Sequence, residues 1–194
     1  MHCEKPACAS VCPVGAFEKT ELGAVFYHAE KCICCRYCMV ACPFSIPKYQ
    51  WDKALPFVQK CILCYDLIKD GQMPACASAC PTEATLFGER DKLLEIAQSR
   101  LTKNPGKYVP HIYGKQEVGG TAVLMLSDVP FADLGFRTDL TEKPLPSLTA
   151  GVMSLVPNII TLGGLGLFGT WWIINRRIKL AKEKLEQEHH ESDK

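Results

Sequence analysis

An excess of charge of either sign is missing from this sequence. Its 22 Lys and Arg stand against 21 Asp and Glu, a formal net charge of +1 over 194 residues. So even a balance does not point to nucleic acid or to an acidic partner. The chain also lacks any C-x2-C-H, the attachment sequence of covalently held c-type haem. No nucleophile–base pair or substrate pocket is legible, so catalysis is not assigned to this chain alone. Its first residues contain neither a positively charged n-region nor a signal peptide, and that absence does not argue for a cytoplasmic protein. Finally, no charged residue occurs between Lys143 and Arg176, a gap of 32 positions.

Cysteine, by contrast, is abundant. Twelve cysteines are present, and eleven of them fall within motifs that end in Cys-Pro. A disulfide framework would explain the number, but it does not demand repeated C-x2-C pairs closed by Cys-Pro. Structural zinc uses C-x2-C pairs as well, yet rarely the four-cysteine run found here. Cys32, Cys35, Cys38 and Cys42, followed by Pro43, stand at C-x2-C-x2-C-x3-C-P. This is the spacing of ferredoxin-type runs that hold [4Fe–4S] clusters. Three thiolates converge from one tight loop, and the fourth, ahead of Pro43, is expected to open a helix. In two-cluster ferredoxins that fourth cysteine serves the neighbouring cluster, so one run implies a second.

Partial runs flank this one. Cys3, Cys8 and Cys12 give C-x4-C-x3-C-P, a motif whose first ligand would lie one place ahead of Met1. The expectation is that Met1 is an internal methionine with more chain before it. Cys61, Cys64, Cys76 and Cys80 give C-x2-C-x11-C-x3-C-P. Residues 74–84, PACASACPTEA, repeat residues 6–16, PACASVCPVGA, at eight of eleven positions, which argues for duplicated cluster-binding units. Cys34 sits between ligands with no ligand role and is expected to be a small buried side chain.

Between the motifs, residues 16–29 read as a short hairpin turning at Gly23. Residues 44–60, interrupted by Pro47 and Pro56, are a connector. Leu93, Leu94, Ala97 and Leu101 recur at helical spacing, and Asn104-Pro105-Gly106 stops that helix. Residues 108–126 read as two extended pieces around Gly119-Gly120, with His111 a structural histidine. The uncharged stretch, with its core at 148–174, is long enough to span a bilayer as a helix. Gly163, Gly166 and Gly169 form a small-residue strip, and Trp171 and Trp172 suit a membrane interface. Arg176, Arg177, Lys179, Lys182 and Lys184 follow and place that end in the cytoplasm. In the tail, His189 and His190 need no metal.

On these motifs, residues 3 to about 90 resemble the ferredoxin-like iron–sulfur subunits of bacterial respiratory oxidoreductases, which partner molybdopterin enzymes or nickel–iron hydrogenases. Residues 108–134, with Pro110-His-Ile-Tyr-Gly114, Val118-Gly-Gly-Thr121 and Val129-Pro-Phe131, look most like the hydrogenase-2 (HybA) type and are similar in outline to formate dehydrogenase beta subunits. The resemblance implies [4Fe–4S] clusters, up to four in a full-length member. Cys32, Cys35, Cys38 and Cys12 would hold one complete set. Cys3, Cys8 and Cys42 would hold a second, and Cys61, Cys64 and Cys76 a third, each lacking one ligand. Cys80 would belong to a fourth. It also implies export through a twin-arginine signal, a periplasmic catalytic subunit, an integral membrane quinone-reactive subunit, and a single-pass inner-membrane location with the clusters periplasmic.

The expected architecture is α+β: a duplicated ferredoxin-like cluster domain of short hairpins and helices plus one C-terminal transmembrane helix. The expected divisions are 1–90 for the clusters and 91–143 for a helix and extended segment packed on them and on the partner. A transmembrane helix follows over 144–176, and a charged cytoplasmic tail over 177–194. Lys31, Arg36 and Lys60 adjoin ligands; they either stabilise reduced clusters or are solvated surface charges.

Overall fold

The computed structural model describes residues 1–54 and 56–192, with side chains up to residue 183. It separates into two compact units, Met1–Leu148 and Thr149–Lys194. The first is built from short elements because proline, glycine and the cysteine loops interrupt every run. Helix α1 (Ala7–Ser10) is a single turn. Pro6, which lacks an N–H and holds φ at −73°, starts it, and its carbonyl accepts from the N–H groups of Ala9 and Ser10. Strands β1 (Phe17–Lys19) and β2 (Val25–Tyr27) then pair antiparallel, Phe17 opposite Tyr27 and Lys19 opposite Val25. Gly23 makes the turn at φ +83°, a left-handed value that glycine adopts without strain. The hairpin is therefore where the sequence places it. Alternation buries Phe17 and Val25, and the Phe17 and Tyr27 rings meet across the strands at 4.9 Å.

Helix α2 (Tyr37–Val40) is again one turn, entered through Arg36 at φ 66°. Here one expectation fails. Cys42-Pro43 does not open a helix; it follows the end of α2 in a turn where Ser45 N–H donates to the Cys42 carbonyl. Pro43 has no N–H to extend α2, and proline just past a helix end is the commoner use of that deficiency. Strands β3 (Lys48–Tyr49) and β4 (Val58–Gln59) form a second small antiparallel pair within the connector. Helices α3 (Tyr65–Lys69) and α4 (Ala75–Ser78) carry the next motif. The core of this unit consists of Cys8, Phe17, Val25, Cys38 and Val58, with Ala9, Cys12, Tyr27, Cys32, Met39 and Tyr49 packed against it. Cysteines are thus core residues in this unit.

Helix α5 (Arg90–Lys103) spans the expected helical periodicity and ends at Asn104. At its start Arg90 donates to the carbonyls of Thr121 (Nε, 3.0 Å) and Lys115 (3.1 Å). The segment beyond it does not form two strands. It contains a 3₁₀ turn at Glu117–Gly119 and two isolated bridges, Cys3 with Thr121 and Tyr113 with Met125. Buried Tyr113 organises it, stacked on Phe131 at 5.0 Å and edge-on to Phe136 at 5.1 Å, with its hydroxyl donating to the Arg137 carbonyl. Buried Glu117 accepts from Gly114 N–H at 2.7 Å and pairs with His111 Nε2 at 2.6 Å, so His111 is structural, as its sequence setting implies. Burial would raise the Glu117 carboxyl, but backbone N–H groups and His111 outweigh it and hold the group below the usual range. The strip from Gly120 to Ala122 then grips the start of the chain. Glu4 N–H donates to Gly120 O, and Ala122 N–H to His2 O.

The described residues of the second unit lie within helix α6 (Leu145–Ser192). Residues 145–183 are long and apolar enough to cross a membrane, with a mean hydropathy of 1.6 in the qualifying window. A Cβ built on Gly163, Gly166 or Gly169 would meet nothing within 4 Å. At the basic end Arg176 lies 5.4 Å over the Trp172 ring. The helix runs past the uncharged stretch because the Lys- and Glu-rich residues after it are themselves good helix formers. The side chains of Lys184, His189 and His190, and residues 193–194, lie outside the described residues.

Candidate metal centre

Two short helices bring the first cysteines together. Helix α1 packs on α2, so Cys8 and Cys38 meet in the core with Cys12 and Cys32 against them. Two groups emerge. Cys42 lies near enough to Cys3 and Cys8 to affect their ionisation, and Cys32 and Cys35 lie near enough to affect that of Cys38, with Cys8 linking the two groups. Burial first, then Cys42 and Cys8, pushes Cys3 up to about 11. Burial, then Cys32, Cys8 and Cys35, does the same for Cys38, also to about 11, and burial likewise raises Cys8. A cation that binds such thiols must displace their protons, and crowded thiolates are stable only around positive charge.

The backbone is already arranged for sulfur. Ala16 N–H donates to Cys12 Sγ at 3.2 Å, and Ile46 N–H to Cys42 Sγ at 3.4 Å, each from four residues on. Cys80 repeats the device: N–H groups of Thr85 and Ala84 and the Thr82 hydroxyl lower its thiol to about 7, the Thr85 N–H contributing most. A second pattern joins the C-x2-C loops. Cys34 N–H donates to Cys32 Sγ at 3.4 Å and Leu63 N–H to Cys61 Sγ at 3.3 Å. Both donors hold left-handed φ, +58° and +62°, the turn that aims an N–H back at the preceding sulfur. Cys61 and Cys76 are exposed and line one cleft with His2, Leu63 and Thr82, while Cys64 and Cys80 are half-buried.

Cys34 departs from expectation. It is half-buried rather than buried, and its thiol is spent donating to the Pro56 carbonyl at 3.0 Å. Its place in a left-handed turn at the surface of the loop prevents full burial, and its hydrogen bond agrees with a non-ligand role.

Among the described residues no three His, Cys, Asp or Glu side chains are close enough to share one metal ion. A multi-iron cluster asks for a wider spread of thiolates than one ion does, and the surroundings fit it. The N–H···S bonds supply the donors that such sulfurs require. The Tyr27 hydroxyl is buried without a partner and faces Cys32; burial, then that sulfur, raises its pKa well above the usual phenol range. Among the described residues the other buried orphan is His2 Nε2, next to Cys3 in sequence. Its Nδ1 accepts from Val25 N–H at 2.8 Å, so the proton sits on Nε2, and burial followed by the Lys60 charge lowers its pKa to about 3. Sequence reasoning missed both Tyr27 and His2, because neither lies at a ligand spacing.

Comparison with known proteins agrees with the geometry. Residues 1–90 match a family described as the 4Fe-4S dicluster domain. A protein of Nitratidesulfovibrio vulgaris is 45% identical over 184 residues, 94% of this chain and 50% of the relative. Hydrogenase-2 operon protein HybA of Escherichia coli O157:H7 is 39% identical over 160 residues, 69% of this chain and 49% of the relative. The nitrate-inducible formate dehydrogenase iron–sulfur subunit of Escherichia coli K12 is 35% identical over 202 residues, 98% of this chain and 66% of the relative. The chain thus spans about half the length of the first two of these relatives.

Proposed function

We propose that the chain, whose residues 1–90 match the 4Fe-4S dicluster domain, is a member of that family and the electron-transfer subunit of a membrane-bound respiratory oxidoreductase. It would relay electrons between a periplasmic catalytic subunit, a nickel–iron hydrogenase in the preferred reading, and a quinone-reactive membrane subunit. The observation that carries this reading is the pairing of cysteine groups across α1 and α2, with backbone N–H groups aimed at their sulfurs.

Cys12, Cys32, Cys35 and Cys38 are the proposed complete ligand set. Cys3, Cys8 and Cys42 belong to a second, Cys61, Cys64 and Cys76 to a third, and Cys80 to a fourth. When bound, the clusters supply reversible one-electron chemistry. The chain's own residues fix thiolate spacing, exclude water through the Phe17–Val25–Val58 core and direct hydrogen bonds to sulfur. Helix α6 is the proposed single membrane anchor, and the basic residues from Arg176 to Lys184 support a cytoplasmic C-terminus and a periplasmic cluster unit. A formate dehydrogenase partner is the second reading. It is favoured by the near-complete coverage of this chain in that relative, 98% against 69% for HybA.

Anaerobic purification with iron and sulfide counts tests the carrier role. Several irons per chain are expected, and near-zero iron, or zinc in its place, sinks it in favour of a fragment or assembly module. The catalytic subunit that co-purifies decides between hydrogen and formate. Protease added from the periplasmic side should cleave the cluster unit; removal of the tail instead reverses the topology.

A further inference from the structure

Three cations stand beside cysteines in the sequence, and the structure separates them. Lys31 is exposed at the end of a 3₁₀ turn. Arg36 is exposed too, its guanidinium held outward over the rings of Tyr49 (5.7 Å) and Trp51 (5.3 Å). Lys60 differs. Its Nζ donates to Val25 O and to Cys61 O, both at 2.6 Å, so the ammonium is anchored between strand β2 and the C-x2-C loop. Val25, the first anchor, packs in the core with Cys8 and donates its N–H to His2 Nδ1, beside Cys3, while the second anchor is Cys61 itself. Cys3, Cys8 and Cys42 belong to one proposed site, and Cys61 belongs to the next.

We infer that Lys60 is a shared counter-charge between two neighbouring cluster sites, a positioning residue whose single ammonium favours the reduced state of both. Two carbonyls occupy two of its three N–H groups, which fixes the charge in place rather than leaving it on a solvated stem. A cation held in a half-buried gap is screened less than one at the surface, so it acts on both sites at once. Each reduction adds one electron to a cluster, no bond forms or breaks at Lys60, and its proton stays on Nζ.

The inference rests on the cluster assignment above. Iron and sulfide counts on the unsubstituted protein test that assignment separately. In anaerobically purified, cluster-loaded protein titrated with dithionite and followed by electron paramagnetic resonance, Lys60→Gln keeps two donors for the carbonyls and removes the charge. It should retain its iron and move the midpoint potentials of two clusters in the negative direction. Lys60→Arg, which keeps the charge, should return both towards the unsubstituted values. Unchanged potentials in Lys60→Gln overturn the inference, as does a shift confined to one cluster. An equal shift in Lys60→Arg, or loss of iron from both variants, assigns Lys60 to a structural clamp instead.

Discussion

Residues 6–16 and 74–84 are near-copies in sequence, and their backbones are near-copies too. Each begins at a proline whose carbonyl accepts from the N–H groups three and four residues on, and each makes one turn of Ala-Cys-Ala-Ser helix. Each ends with a 3.3 Å hydrogen bond to the carbonyl of its Cys-Pro cysteine, from Gly15 in one copy and Glu83 in the other. Even the left-handed φ is repeated, +61° at Gly15 and +52° at Glu83, although a glutamate is strained there. Their surroundings differ. Cys8 is buried against α2, whereas Cys76 is exposed. The loop that aims backbone at sulfur is thus a local property of eleven residues, while the shielding of that sulfur is not; it comes from whatever packs on the loop.

The aromatic residue after each copy breaks the comparison most sharply. Phe17 is 5% exposed and Phe87 38%. Phe17→Ala should cost about 3–5 kcal/mol, as for buried aromatics generally, and should lower both melting temperature and retained iron. Phe87→Ala should cost roughly 1 kcal/mol or less. Equal losses would mean that the second copy is packed as tightly as the first. A smaller effect comes from exchanging the left-handed residues. No atom lies within 4 Å of a Cβ built at Gly15, so Gly15→Glu tests backbone strain alone. It should destabilise by about 1–2 kcal/mol, and Glu83→Gly should stabilise by a similar amount in thermal melts.

The smallest effect is on reactivity alone. In iron-depleted protein at pH 7.5, Cys80, lowered to about 7 by its N–H and hydroxyl donors, is largely thiolate, whereas burial holds Cys8 above its ordinary value and protonated. Brief alkylation read by mass spectrometry should label Cys80 roughly ten-fold faster or more. As pH rises towards 10 the gap should narrow, because Cys8 then begins to ionise while Cys80 is already charged.

The comparison also explains what could be read in the chain. The repeat, the Gly23 hairpin, the α5 periodicity and the structural role of His111 all depend on neighbours within a few residues, and each was legible. The direction of Cys42-Pro43 was misread because proline is at home in the first turn of a helix and just past its end, and spacing does not separate the two uses. The half-burial of Cys34 depends on Pro56, 22 residues away. Of three cations beside ligands, only Lys60 is drawn inward, by a carbonyl 35 residues distant, and nothing in its own neighbourhood marks it out. The Tyr27 hydroxyl and His2 Nε2 were invisible for the same reason: an unpartnered atom is defined by everything around it.

The bridge between Cys3 and Thr121 has a consequence in time. The residue that fixes the first cysteine is translated more than a hundred residues after it. At roughly 5–20 residues per second that is an interval of several seconds, during which Cys3 is in the chain but its edge partner is not yet made. That edge can pair only once Thr121 exists, whereas the β1–β2 hairpin needs no residue beyond Tyr27. The loop around Cys8 and Cys12 can thus form early in synthesis, while the edge that holds Cys3 cannot.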